Sequence, residues 1–338
     1  MGRIAIIGAG SIGCHVGARL AAAGAAVTLV GRPRVLDEIR THGLGWSDLR
    51  GGGGRVAATA VTLSEDMAAA ATARLVLVTV KSADTAAAAA SLAPVLAPSA
   101  VVWSLQNGLR NMPALRAALP GRPVLAGMVP FNVVPRGGGL FHQATQGALD
   151  GEQHPALEPW RAPFAQAGLP VALHADMPAV QWAKLLLNLN NAINALSGLP
   201  LLEQLSQRDW RRCMALAQSE ALGLLLQAGQ PLARLTPLPP RWLPGLLRLP
   251  DGLFLRLAQR MLAMDPLARS SMSEDLARGR ASEVDDLNGE VVRLALRLNR
   301  HAPVNRTLVR LMREAEAGGQ RHWRAEALLA TLQAAAQG

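Results

Sequence analysis

At 338 residues, half of them hydrophobic, the chain is too long for one ordinary core and suits two domains. Its net charge of +10 raises the question of nucleic acid, but the basic residues are scattered, Tyr is absent and Phe and Trp number only four and seven, which argues against a stacking surface. The charge is read as compositional, with a modest pull on anionic small molecules.

Two cysteines, Cys14 and Cys213, lie far apart with no metal-ligand spacing, so neither a disulfide framework nor a metal site is expected. The chain enters a strand within a few residues and shows no signal-peptide architecture. The longest apolar run, around Leu185 to Leu202, is interrupted by Asn188, Asn190, Asn191 and Asn194, which argues against a membrane span. The expected setting is the cytoplasm, with no nucleic-acid or membrane partner.

The first element is a β-branched strand, Arg3 to Ile7, which runs directly into Gly8-Ala-Gly10-Ser11-Ile12-Gly13. A helix to about Ala23 follows, Gly24 stops it, and Ala26 to Val30 reads as a second strand. Strand, GxGxxG, helix, strand is the context in which the motif means dinucleotide binding. Gly8 serves the tight turn, Gly10 admits the pyrophosphate to the backbone, Gly13 lets helix and strand pack closely, and the helix N-terminus at Ser11 and Ile12 offers amides to the phosphates. At the end of the second strand the residues are Gly31-Arg32-Pro33-Arg34, where an NAD site would place a carboxylate. Arginine suits a 2′-phosphate, so NADPH is the expected cofactor, with Arg32 the leading contact and Arg34 second.

Four glycines from Gly51 to Gly54 mark a flexible turn between strands. Leu75 to Val80 is an apolar parallel-type strand with Lys81 at its end, and Ala100 to Leu105 is another, followed by Gln106-Asn107-Gly108. Ligands of open α/β sheets bind outside the carboxyl ends of strands, which puts Lys81 and Asn107 on the cofactor edge. Further strands are expected at Val124 to Val129, Gly147 to Leu149 and Val171 to His174, with a hinge at Asp176-Met177-Pro178.

Beyond the hinge, helical periodicity dominates: Pro178 to about Ala195, Asp209 to Gln227, Leu253 to Met264, Glu283 to Asn299, Val304 to Ala317 and a terminal helix from Arg321. A Pro-rich interruption from Pro231 to Pro250 reads as a surface loop or lid flank. The fold class is therefore α/β, with a Rossmann-type NADP-binding domain over 1–177 and an all-helical substrate and catalytic domain over 178–338.

Of the 34 Lys and Arg residues only Lys81 and Lys184 are lysine. An ammonium can give up a proton where a guanidinium hardly does, so a proton-transfer site resists exchange for arginine. Lys184 and Asn188 are four apart and share one face of their helix. In Arg269-Ser270-Ser271-Met-Ser-Glu274-Asp275, Ser271 reads as an N-cap with Glu274 closing a capping box. Glu283 would sit in the first turn of the next helix, where the dipole favours a carboxylate.

Taken together, these segments resemble the ketopantoate reductases (2-dehydropantoate 2-reductases) over nearly the whole chain. The shared features are GAGxIG, VxxK at Val78 to Lys81, QNG at Gln106 to Gly108, KLxxN at Lys184 to Asn188, RSSMxxD at Arg269 to Asp275, Glu283, and APxN at Ala302 to Asn305. The resemblance implies reduction of an α-keto acid by NADPH to a 2-hydroxy acid, (R)-pantoate. It implies Lys184 as general acid, Glu283 on the substrate hydroxyl and supporting Lys184, Ser271 on the carboxylate, and Asn188 and Asn107 as neutral donors.

Two features depart from the family pattern: Ala268 stands where an asparagine is common, and Asn190, Asn191 and Asn194 replace a simpler NxxxN spacing. A reductase of another α-keto acid on the same plan and a non-catalytic NADPH-binding sensor are the alternatives. A Trp- and Leu-rich helical domain also supplies a candidate homodimer face.

Overall fold

In a computed structural model of the protein, which describes residues 2–259, 262 and 265–337, the chain divides into two compact units, Met1–Met177 and Pro178–Gly338. The first is α/β and the second all-helical, as the sequence pattern leads one to expect.

The first unit is built on a sheet whose strands are β1 (Ile4–Ile7), β2 (Val27–Val30), β5 (Val61–Ser64), β6 (Leu75–Val78), β7 (Val101–Ser104), β8 (Val124–Met128), β11 (Leu149–Glu152) and β12 (Val171–His174). Their spatial order is β12-β11-β8-β7-β6-β1-β2-β5. Pairing is parallel throughout except between β8 and β11. β1, β6, β7 and β8 are buried at every position, the run of Val, Ile and Leu that a strand covered on both faces requires. The chain moves outward from β1 through β2 to β5 and then returns to β6 on the other side of β1. The boundary between β1 and β6 is therefore the topological switch point.

A second sheet was not anticipated. β3 (Leu44–Asp48), β4 (Gly53–Val56), β9 (Val133–Gly137) and β10 (Leu140–Gln143) form it in the order β4-β3-β10-β9. The Gly51 to Gly54 stretch lies between its first two strands, with Gly53 and Gly54 already inside β4. Asp48 Oδ1 closes the turn by accepting from the amides of Arg50 and Gly52, both at 2.9 Å.

This sheet packs on α1 (Ser11–Ala22), the helix after the glycine turn, so α1 is covered both by the main sheet and by the small one. His15 on α1 is consequently fully buried, and its Nδ1–H donates to the Phe141 carbonyl at 3.1 Å. Burial, with Arg19 as the lesser cause, pushes its pKa down from 6.5 to about 4 against the opposing pull of that carbonyl and of Asp48.

A histidine kept neutral in the fold but protonated in the unfolded chain costs stability as pH falls from about 6.5 toward 4, and nothing above that window. The expected loss is roughly 3 kcal/mol at full extent, from 1.36 kcal/mol per unit. Melting temperature followed from pH 7.5 to 4.5 checks this. His15→Phe should flatten part of the acid limb, and an identical limb in both proteins would assign the loss to other groups.

The remaining helices of this unit are α2 (Pro33–His42), α3 (Thr85–Leu92), α4 (Asn111–Ala118) and α5 (Glu158–Gln166). The second unit comprises α6 (Met177–Asn188), α7 (Asn190–Ser197), α8 (Leu201–Ser206), α9 (Arg208–Gln227), α10 (Leu243–Leu247), α11 (Asp251–Leu257), α12 (Ser271–Ala277), α13 (Asn288–Arg297), α14 (Pro303–Glu316) and α15 (Ala325–Gln337). α9 is its centre and packs against α7, α8, α10, α13, α14 and α15.

Several helix boundaries differ from the sequence reading. The segment from Pro178 is two helices parted at Leu189. The Pro-rich stretch is not simply a surface loop, because α10 within it buries Leu243, Leu246 and Leu247. Of the helix expected over Leu253 to Met264, α11 covers the start, while Arg260, Met261, Ala263 and Met264 lie outside the described residues. No helix among the described residues is long and apolar enough to cross a membrane, and no group of His, Cys, Asp or Glu among them is arranged to hold a metal.

Candidate active site

The first unit gathers its candidate residues at the carboxyl ends of four adjacent strands, β2, β1, β6 and β7. β1 ends in the glycine turn. Gly8 has φ +109°, and a side chain there would bring its Cβ within 2.7 Å of the Val80 amide nitrogen, so only glycine fits. A Cβ on Gly13 would run into the Gly8 carbonyl and Thr79 Oγ1. Thr79 Oγ1 donates to that same carbonyl at 2.7 Å, which ties the end of β6 to the turn.

Gly10, by contrast, has nothing within 4 Å of its Cβ direction and lies exposed at the N-cap of α1. Helix geometry leaves the amides of Ser11, Ile12 and Gly13 without intrahelical partners, and no acidic residue occupies the first turn. The open approach at Gly10, beside free amides and a positive dipole end, fits a pyrophosphate. Ser11 and Ile12 are half-buried at its edge.

Arg32 follows β2 and caps α2, whose first residue is Pro33. Its side chain is 78% exposed and its Nη2 lies 3.3 Å from Oδ2 of Asp84, whose side chain is 51% exposed. An ion pair this open is worth little and exchanges readily for a stronger anion. Arg34 is exposed one residue into the helix.

Lys81 and Asn107 end the loops after β6 and β7, both half-buried. The structure adds to these two the residues that hold them. Gln106 Nε2 donates to the Val80 carbonyl at 2.9 Å and to Thr85 Oγ1 at 2.7 Å, and Gln106 Oε1 accepts from Ser104 Oγ at 2.9 Å. Thr85 in turn donates to Asn111 Oδ1 at 2.8 Å, and Asn111 Nδ2 donates to the Asn107 carbonyl at 2.6 Å. Ser82 Oγ reaches the same carbonyl at 3.2 Å. Thr85, Gln106 and Asn111 are all buried, so this donor chain locks the two loops to each other. The clue in the sequence was a pair of polar residues, Ser104 and Gln106, at and just beyond the end of an otherwise apolar strand.

In the second unit Lys184 lies half-buried on α6, one turn before Asn188, which is 9% exposed. Asn190 and Asn194 on α7 turn instead to Gln204 and the Ser270 backbone. Asn191 is half-buried.

Ser271 is not the N-cap of α12, as its spacing to Glu274 suggested; Ser270 is. Ser270 Oγ accepts from the Ser273 amide at 3.2 Å and donates to the Asn191 carbonyl at 3.2 Å, and the residue is 2% exposed. With the register moved by one, Ser273 rather than Glu274 occupies the third helical position, and there is no capping box. Glu274 instead pairs with Arg278, while burial pushes its carboxyl pKa up. The consequence for Ser271 is that its hydroxyl is left exposed at the start of the helix.

Glu283 does not sit in a first helical turn either. α13 begins at Asn288, and Glu283 is half-buried in a preceding turn whose amides, Asp286 and Leu287, donate to its carbonyl. The helix dipole therefore gives no account of its charge. Asn305 of the APxN element is structural: its amide and side chain both donate to Glu220 Oε1, at 2.9 and 2.8 Å, while Val304 N donates to Glu220 Oε2.

Two family models match the chain, the ketopantoate reductase PanE/ApbA over residues 4–155 and its C-terminal counterpart over 176–316. A 2-dehydropantoate 2-reductase of Halobacterium salinarum is 30% identical over 324 residues, covering 94% of this chain and all of that protein. The crystal structure of a PanE/ApbA family ketopantoate reductase from Ralstonia eutropha superposes with a TM-score of 0.79 at 34% identity, over 94% of this chain and 99% of that one. A D-mandelate dehydrogenase solved with NADH and anilino(oxo)acetate shares the fold, with a TM-score of 0.77 at 17% identity over 94% and 99% of the two chains.

Proposed function

The chain belongs to the ketopantoate reductase family of oxidoreductases, and from that premise we propose that it reduces 2-dehydropantoate (ketopantoate) to (R)-pantoate with NADPH, in the route to pantothenate and coenzyme A. The observation that carries the reading is the placement of the two lysines in an arginine-rich chain. One stands at a strand end beside the switch point, the other one helical turn before a buried asparagine.

In this reading Gly8, Gly10 and Gly13 shape the pyrophosphate cradle, and the Ser11, Ile12 and Gly13 amides bind it. Arg32 takes the 2′-phosphate, exchanging Asp84 for it, and Lys81 adds a second positive charge at the cofactor edge. When bound, NADPH supplies the hydride that reaches the ketone carbon. Negative charge then builds on the ketone oxygen, and Lys184 stabilises it and donates the proton. Asn188 orients the keto acid, Asn107 orients the keto acid or the nicotinamide ring, and Ser271 takes the substrate carboxylate. Glu283 binds the substrate hydroxyl and supports Lys184.

A different α-keto acid on the same machinery is the second reading. It is favoured by Ala268, buried at 2% where the family resemblance calls for an asparagine donor.

NADPH oxidation against a small panel of α-keto acids, with NADH in parallel, tests both readings. The expected result is turnover with ketopantoate and preference for NADPH. Turnover only with another keto acid would leave the class standing and remove ketopantoate. Arg32→Ala should raise the KM for NADPH about tenfold or more, the worth of a charge-assisted pair, and leave that for NADH nearly unchanged. Equal effects on both cofactors would place the 2′-phosphate elsewhere.

A further inference from the structure

Three buried amide side chains in the second unit have no part in the chemistry described above. Asn190 Nδ2 donates to Gln204 Oε1 at 3.0 Å, and Gln204 Nε2 donates back to Asn190 Oδ1 at 2.9 Å, a closed reciprocal pair. Asn194 Nδ2 donates to the Leu199 carbonyl at 2.9 Å and reaches Gln204 Oε1 at 3.4 Å. Its Oδ1 accepts from the Ser270 amide at 2.9 Å. Asn194 and Gln204 are fully buried and Asn190 is 5% exposed.

Burying three amides is unfavourable unless each is satisfied, and an apolar helix pair would pack α7 against α8 at lower cost. What the amides provide that leucines would not is a directed grip on one backbone group, the amide of Ser270. The same short segment is held from two further sides. Leu201 N donates to the Ala268 carbonyl at 2.8 Å, and Arg269 Nη1 donates to the Gly198 carbonyl at 2.7 Å. Ser270 is thus consumed as cap and anchor, and the neighbouring Ser271 is presented in a fixed place relative to α6, which carries Lys184 and Asn188 and leads into α7.

We propose that Asn194, backed by Gln204 and Asn190, is a positioning residue for Ser271. It sets the distance between the hydroxyl that takes the substrate carboxylate and the α6 face that carries Lys184 and Asn188. The proposal rests on the roles given above to Ser271 and Lys184. A rigid spacing of this kind selects keto acids by the separation of carboxylate and carbonyl, and makes Asn194 a determinant of specificity without its touching the substrate.

The test is a double-mutant cycle on KM for whichever α-keto acid the wild-type enzyme turns over. Ser271→Ala should raise that KM by about 10- to 100-fold, the loss of one hydrogen bond to a charged group. Asn194→Ala should raise it by about tenfold, with the KM for NADPH unchanged. If Asn194 acts through Ser271, the double variant matches Ser271→Ala alone, because the misplaced hydroxyl is already gone.

Multiplying effects in the double variant, or an equal rise in the KM for NADPH, would overturn the proposal and leave Asn194 a merely structural residue. Should Asn194→Ala fail to fold, Gln204→Ala enters the same cycle with the same two outcomes. Failure of the functional reading is distinguishable, because it shows in the wild type as absence of turnover with every keto acid.

Discussion

Replacing Lys184 by alanine is expected to lower kcat by about 10²- to 10⁴-fold, the range for a general acid, with NADPH affinity unchanged. That corresponds to roughly 3–5 kcal/mol of lost transition-state stabilisation at 1.36 kcal/mol per factor of ten. The residue is half-buried on α6, a position that shields an ammonium from full hydration while leaving it reachable. Lys184→Arg sharpens the test. It keeps the positive charge but puts in place a group that does not release a proton, so it should recover binding of the keto acid and little of the rate. Stopped-flow loss of NADPH absorbance under single-turnover conditions reads the chemical step directly. A loss under threefold in Lys184→Ala would take Lys184 out of the acid role, and full activity in Lys184→Arg would reduce it to a charge.

The second large effect is on stability and concerns Arg211, which is fully buried on α9. Its guanidinium donates to four backbone carbonyls, those of Leu205 and Ser206 at 3.0 Å, Leu247 at 3.2 Å and Leu249 at 2.8 Å. It also lies 2.9 Å from Asp251 Oδ1 and 4.1 Å over the ring of Phe254. Because Asp251 is 55% exposed, the ion pair contributes little, and the four carbonyls dominate. Arg211→Leu strands them away from water. The expected loss is roughly 3–5 kcal/mol, which for a unit of this size lowers Tm by about 10 °C. A thermal melt followed by circular dichroism measures it. A drop below 2 °C would show that the surrounding helices can satisfy these carbonyls without the arginine.

The parts of this protein that were legible in its sequence are those governed by near neighbours. Ile4 to Gly13 declares strand, turn and helix within ten residues, and the structure returns each of them. The second sheet was silent because Gly53 to Arg55 is exposed and lacks alternation, and because β3 finds its partner β10 through the pairing of Gly45 with Leu140. No periodicity carries information across that separation.

The same limit explains the second unit. Which of two adjacent serines caps α12 depends on where Ala268 to Ser270 is held by Leu201 and Asn194, and the sequence shows only that both serines can cap. The spacing of Asn190 and Asn194 departs from NxxxN because both asparagines, set on an apolar helix, are spent on partners distant in sequence, Gln204 and a backbone amide. Glu283 falls five positions short of the first residue of α13 because the residues after it close a turn on its own carbonyl before that helix begins.

The small sheet has a consequence for the order in which the chain can become native. Its central pairing is parallel, between β3 and β10, so the hairpin of β3 and β4 must wait for residues synthesised nearly a hundred positions later. Until then one strand edge and the outer side of α1, His15 included, remain uncovered in the nascent chain. An unpaired edge beside an apolar helix is the kind of surface that recruits other chains or chaperones. Yield in a cell-free translation with and without added chaperone should therefore respond more to substitutions in β10 than to equally buried ones in β1, whose neighbours emerge soon after it.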